Sequence, residues 1–256
     1  IMLSDRPLAA QIGGEVFNLR FTPKKDTQIH LLRYGEDMGR RVYERTLQFL
    51  FILAMRKEFP RARVCVRYSL GPGLFITVDG MEEPFNEEAA LKVETEMRRL
   101  VRLKLPLERR RISIKEALSF YEQDGQADKA KLLKWRRFSY FDVYQIDGYM
   151  DYFYGEMAPD TSYADVFRVK YVHDGAVVLL MPRNDAPDVP SDYVDLPKLH
   201  AVFHQSDEWG KLMECATVND LNTHIQNGTI RELVRINEAL HDRGYADIAC
   251  LLYTSP

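Results

Sequence analysis

The sequence is poor in cysteine: Cys65, Cys215 and Cys250 are the only 3 thiols in 256 residues, and they lie far apart. Their odd number and the lack of a CxxC pair exclude a disulfide framework and a cysteine-rich zinc site, and fit a reducing cytoplasm. Long apolar runs are also missing. The most apolar stretch, Leu47 to Met55, is bounded by Arg45 and Arg56 and is too short to span a bilayer, so no membrane partner is expected. The opening IMLSDRPLAA lacks the basic start and apolar block of a signal peptide. Charge of one sign is scarce: 35 Lys and Arg stand against 38 Asp and Glu, so no global pull toward nucleic acid or membrane arises. A phosphate-cradling GxxxxGK[ST] loop is absent as well. Its nearest approach, Gly210-Lys211, has Gln205 where the first glycine belongs and Leu212 where Ser or Thr belongs. No GxSxG elbow or other nucleophile motif occurs.

What is present is the composition of an ordinary globular chain, 46% hydrophobic and 29% charged, large enough to bury a full core. Leu8 to Phe21 alternates around Gly13-Gly14 as a hairpin would, and Gln28 to Tyr34 reads as a further strand. From Asp37 the period becomes helical, with Tyr43, Leu47, Leu50, Phe51 and Ala54 in register until Pro60. Strands at Ala62 to Tyr68 and Leu74 to Val78 flank SLGPG, and Asn86 is placed to cap a helix running to about Lys104. Arg109 to Ile114 predicts a strand, and Lys115 to Tyr121 and Ala127 to Arg136 short helices. Phe138 to Leu180 is rich in Tyr, Phe and Val and reads mostly as sheet. PRNDAPDVPSD reads as a loop before a helical tail, in which Thr217 to Asp220 has capping-box spacing and Asn227-Gly228 divides the last two helices. The fold class is α+β.

Three features are candidates for chemistry. His200 and His204 have the i,i+4 spacing of a helical metal pair, but no third ligand is evident and two surface histidines are the simpler reading. Arg109, Arg110 and Arg111, with Lys134, Trp135 and Arg136, form basic clusters suited to a nucleic-acid backbone and a stacked base; solvated strand and helix faces are the ordinary alternative. The aromatic run Tyr140 to Gly155 is a stacking platform or, more simply, core.

The order of segments resembles a known family. RTLQFLFILAMRKEFPRARVCVRYSLGPGLFITVDG, FNEEAALKVETEMRRLV, RRRISIKEALSFYEQDGQADKAKLL and DYFYGEMAPDTSYADVFRV together look like the second additional (editing) domain of threonyl-tRNA synthetase, over about residues 38 to 183. The resemblance implies four zinc-ligand positions, which fall here on Arg45, Phe49, Phe153 and Met157. Arginine does not give up its proton, phenylalanine has no lone pair and a lone thioether is a poor zinc donor, so no metal and no catalytic residue are expected.

Those replacements resemble a second family, nucleoside kinases of the uridine kinase and phosphoribulokinase group, where a ubiquitin-like TGS segment and a metal-free editing-like domain precede the kinase. GRRVYERTLQFLF, LPLERR, DYFYGEMAPDTSY and NEALHDRGYADIA carry that likeness. It implies a partial TGS segment over residues 1–37, an editing-like α/β sandwich over 38–190 and a helical linker over 191–249, with CLLYTSP at 250–256 resembling translated adapter sequence. The expected function is the non-catalytic front part of a cytoplasmic ATP-dependent nucleoside kinase. The fragment itself would need no cofactor, ATP and magnesium would belong to the full-length kinase, and the partner would be a C-terminal kinase domain in cis. The alternatives are an RNA- or tRNA-binding module and a tRNA-editing hydrolase.

Overall fold

Apolar residues alternating on either side of Gly13-Gly14 fold as the expected hairpin. The computed structural model describes residues 1–254, and in it β1 (Ala9–Ile12) pairs antiparallel with β2 (Glu15–Phe17) on one edge and β3 (His30–Leu32) on the other. The chain divides into two compact units, Ile1–Arg111 with Asp142–Leu199, and Ile112–Phe141 with His200–Pro256.

In the first unit, helix α1 (Asp37–Glu58) buries Val42, Leu47, Leu50, Phe51 and Ala54. β4 (Arg63–Leu70) and β5 (Gly73–Asp79) form a hairpin over Gly71-Pro72. Asn86 caps α2 (Glu87–Leu103) as its sequence position predicts, its side chain accepting from the Ala89 amide at 3.0 Å. β9 (Arg168–His173) and β10 (Ala176–Leu180) complete an antiparallel sheet in the order β4-β5-β10-β9. Period-two alternation in β5 sends Leu74, Ile76 and Val78 into the main core with Val93, Met97 and Leu100 of α2. Each such buried aliphatic side chain contributes about 1.5–3 kcal/mol. Phe75 faces the other way and joins Leu70, Ala176, Val178 and Leu180 in a smaller cluster. The chain leaves this unit within β6 (Glu108–Ser113) and re-enters it within β7 (Tyr140–Ile146), which pairs with β8 (Tyr149–Asp151).

Two expectations are corrected here. Within Phe138 to Leu180, whose composition reads mostly as sheet, residues 152–167 form an irregular loop with a single 3₁₀ turn at Thr161–Tyr163. Gly155 at positive φ, Pro159, and Asp160, whose carboxylate accepts from the Ser162 amide at 2.9 Å, break any ladder despite the aromatic density. Conversely, the proline-rich segment expected as a loop contains a small hairpin, β11 (Pro182–Arg183) and β12 (Ala186–Pro190). With only two strands, its prolines occupy edges where a missing donor costs no ladder bond.

The second unit holds α3 (Ile114–Gln123), capped by Ser113, and α4 (Ala127–Leu133), which ends short of the expected Arg136. The tail helices are α5 (Pro197–Leu212), α6 (Val218–Asn227) and α7 (Ile230–Thr254). The capping box at Thr217 and Asp220 forms, and Gly228 ends α6. Helix α7 continues through Cys250 to Thr254; Ser255 and Pro256 of the suspected tail lie outside the described residues. Among the described residues no helix is long and apolar enough to cross a membrane.

The irregular loop depends on α1 for its polar partners. The Tyr43 hydroxyl donates to the Val166 carbonyl at 2.7 Å and accepts from the Val166 amide at 2.9 Å, while the ring is fully buried. Tyr43→Phe leaves both backbone groups unpaired and is expected to cost about 2–4 kcal/mol. Urea denaturation checks this; an unchanged midpoint would show that the loop finds its partners elsewhere.

Candidate functional site

The first half of α1 presents Met38, Arg41 and Arg45 on one stripe, at i, i+3 and i+7. That stripe forms one wall of an open groove of about 1030 Å³. Phe17, Asn18 and Phe21, at and beyond the end of β2, form a second wall, and Arg109 and Tyr144 of β6 and β7 a third. All of these residues belong to the first unit. Five arginines and three glutamates line the groove, so it is locally cationic in a chain whose formal net charge is -3.

Of the four positions implied by the editing-domain resemblance, Arg45 alone lines this groove. Arg45 donates through Nε to the Glu156 carbonyl at 3.0 Å, and its guanidinium lies across Gly155. One turn further along α1, Phe49 is fully buried, with its ring centroid 5.2 Å from that of Phe153. Met157 is fully buried in the same core. Phe49, Phe153 and Met157 do not line the groove, which stops at Arg45. Among the described residues, no group of three or more His, Cys, Asp or Glu is placed to hold a metal ion. His204 stands exposed one turn from His200 on α5.

The loop carrying two of these positions is held in place from three sides. The Ala158 amide donates to the buried Thr46 hydroxyl at 3.0 Å, and Asn18 Nδ2 donates to the Met157 carbonyl at 2.9 Å. The Glu156 carboxylate accepts from Arg109 and, at 2.9 Å, from the Tyr144 hydroxyl. Burial raises the Tyr144 phenol well above its usual range, and the Glu156 charge adds to the effect.

The arginines of the groove differ in how they are satisfied. Arg109 is bound to Glu156 and Asp142; burial opposes its charge, but the two carboxylates outweigh that and raise its pKa. Arg110 donates to the neutral Gln145 side chain at 2.7 Å. Arg45 is half-buried, and burial lowers its pKa, against the opposing influence of Tyr144, Glu44 and Glu156; the neighbouring Arg41 charge is a smaller contribution in the same direction as burial. Among the described residues no carboxylate forms an ion pair with Arg20, Arg41 or Arg45.

The residues singled out from sequence for nucleic-acid contact divide between the two units. Arg109 and Arg111 grip Asp142 across the strand pair, the latter at 2.8 Å, and Arg109 and Arg110 also line the groove. In the second unit Trp135 donates through Nε1 to Asn219 at 2.9 Å, Arg136 lies over the Phe141 ring at 4.8 Å, and Lys134 is exposed. Sequence reasoning did not single out Phe17, Asn18, Phe21 or Arg41. The only signal was the i,i+4 spacing of Arg41 and Arg45 on a helix otherwise apolar on its inner face.

No family model matches the chain. It is distantly similar to threonine–tRNA ligases. It is 27% identical to the ligase of Carboxydothermus hydrogenoformans over 175 residues, 65% of this chain and 26% of the ligase. Against the ligase of Acetivibrio thermocellus the identity is 28% over 127 residues, 50% and 20% of the two chains. Against that of Clostridium kluyveri it is 24% over 170 residues, 66% and 26%. The chain thus spans about a quarter of the length of the curated relatives it matches, in the ligases' N-terminal region. These relatives give a nucleoside-kinase parent no support.

Two outcomes are expected. Gly155 has φ +94°, and a Cβ there would sit 3.0 Å from the Arg45 guanidinium carbon. Gly155→Ala therefore strains the backbone by about 1–3 kcal/mol and displaces Arg45; unaltered stability to urea would contradict this packing. The second concerns Asp142, whose carboxyl is held below its usual pKa by Arg111 first and then Arg109. A depressed carboxyl adds stability above its unfolded pKa, about 3.9, and loses it as pH falls through the folded value. Asp142→Asn is thus expected to lower the melting temperature at pH 7 and to leave it nearly unchanged near pH 2. An equal loss at both pH values would show that the ion pairs contribute nothing.

Proposed function

We propose that the first unit is an RNA-binding module related to the N-terminal region of threonine–tRNA ligases, engaging the tRNA through the arginine-lined groove. The observation that carries this reading is Arg45: a half-buried cation without an ion pair, at a position the likeness assigns to a metal ligand. With Arg20 and Arg41 it offers guanidinium groups to phosphate, while Phe17 and Phe21, stacked at 4.3 Å, offer a ring face to a base. The groove lining includes no His, Cys, Ser, Thr or Asp, and its carboxylate nearest Arg45, Glu156, is bound to Arg109 and Tyr144. That chemistry favours binding over hydrolysis of an ester.

A second reading has one observation behind it. All four implied ligand positions carry Arg, Phe, Phe and Met, the pattern expected if the domain serves as an accessory part of an ATP-dependent nucleoside kinase. In that reading ATP and magnesium belong to a kinase domain in cis, and a GxxxxGK[ST] loop in the continuing reading frame is the test.

Fluorescence anisotropy with labelled tRNA across 50–300 mM salt tests the first reading. With three groove arginines on phosphates, the log–log slope is expected near -2, about 0.7 for each single-strand phosphate neutralised. Binding that is salt-independent, or absent at low salt, would remove it.

A further inference from the structure

We infer that Arg41 and Arg45 form a seat for a terminal phosphate monoester, so that the groove takes a nucleotide by its phosphate end. The inference rests on the groove being a ligand site, as proposed above, and specifies which chemical group it grips.

Arg45 uses only Nε on the protein, at the Glu156 carbonyl, which leaves both terminal amino groups of its guanidinium for a ligand. Those two groups are the fork that meets phosphate oxygens in pairs. Arg41 stands one helical turn away on the same wall and makes no hydrogen bond or ion pair among the described residues. Two like charges at adjacent turns repel each other, and a half-buried one is costly without a counter-charge. In most folded sites a nearby carboxylate relieves that cost. Here Glu44 and Glu156 lie near enough to favour the Arg45 charge, but neither is bonded to it: Glu156 accepts from Arg109 and Tyr144, and Glu44 accepts from Gln48. An exogenous dianion would supply the missing charge.

The shape of the groove points to an end rather than the middle of a strand. Its lining reaches Arg45 but not Phe49, Phe153 or Met157, which are packed as core behind it. On that side a phosphate seated on Arg45 meets packed core and not open groove. Phe21, which is 46% exposed and stacked on Phe17, lines the same groove, where a base attached to the seated phosphate would find a ring face. A terminal phosphate could come from a free mononucleotide or from the end of an RNA.

Isothermal titration with adenosine 5′-monophosphate, uridine 5′-monophosphate and adenosine tests the seat directly. The monophosphates are expected to bind at least ten-fold more tightly than adenosine, and Arg45→Gln to weaken them about ten-fold. Because Arg45 also holds the loop backbone, Arg41→Gln, which removes no hydrogen bond or ion pair among the described residues, is measured beside it and is expected to cost about five-fold. Arg63→Gln, on β4 and paired with Asp79, is expected to change nothing. A short RNA is then compared with and without a 5′-phosphate and with and without a 3′-phosphate. Tighter binding only of free monophosphates assigns the seat to small nucleotides, and a gain on phosphorylated RNA assigns it to RNA ends. If RNA binds equally with and without terminal phosphate and the monophosphates do not exceed adenosine, the seat is wrong while the RNA reading stands. If the monophosphates bind but RNA does not, the RNA reading fails and the seat remains.

Discussion

The site depends on the way α1 supplies polar partners to a loop that has no ladder of its own. Residues 152–167 carry buried backbone groups, and a buried amide or carbonyl without a partner costs as much as a lost hydrogen bond. Tyr43, Arg45 and Thr46 meet Val166, Glu156 and Ala158 in turn. Thr46 also donates back to the Val42 carbonyl at 2.7 Å, so its hydroxyl proton is committed and the group is fixed in orientation. The same helix sinks Leu47, Leu50 and Ala54 into the core. One element therefore anchors the loop, the core and one wall of the groove, and the position of Glu156 follows from that anchoring.

Local charge in this chain is decided by pairing rather than by composition. β6 brings three consecutive arginines to the surface, but β7 and the following loop answer with Asp142, Gln145 and Glu156. Exposed pairs of this kind add little stability singly, yet they remove cations from the pool available to a ligand. Arg41 and Arg45 on α1 and Arg20 after β2 have no carboxylate ion pair among the described residues, whereas Arg40 pairs with Asp37. The cationic character of the groove comes from these less conspicuous residues and not from the run of arginines that dominates the sequence.

That contrast explains what could and could not be read in advance. Helices α1 and α2, the Gly13-Gly14 hairpin and the Thr217 capping box are local features, set by spacing, caps and turns, and the sequence displays them directly. The loop 152–167 was hidden because Tyr and Phe favour strands wherever they occur, while Gly155, Pro159 and Asp160 act only through tertiary partners. The β11–β12 hairpin was hidden because proline argues against strands except at an edge, and edges are not visible in one dimension. The groove was hidden most completely. Phe17 and Arg20 precede α1, Arg45 lies within it, and Tyr144 and Glu156 come about a hundred residues later, so no window of sequence contains the site. Arg109 and Arg111 looked free for the same reason: Asp142 stands some thirty residues beyond them.

The four positions that the resemblance implies as metal ligands carry side chains of two physically different kinds, and the difference bears on what the site can do. Phe49, Phe153 and Met157 are packing: they exclude water and fill space that a hydrated ion would need. Arg45 is a charge at the rim of that packing. Apolar neighbours lower the local polarizability, which makes a lone guanidinium beside them more costly and any anion it meets more strongly held than in water. The two kinds of side chain reinforce each other, since the apolar plug without the arginine would leave an inert wall, and the arginine without the plug would be solvated and weak. Together they set a guanidinium against an apolar wall at the turn of α1 over which the loop is folded, the setting on which the proposed anion seat rests.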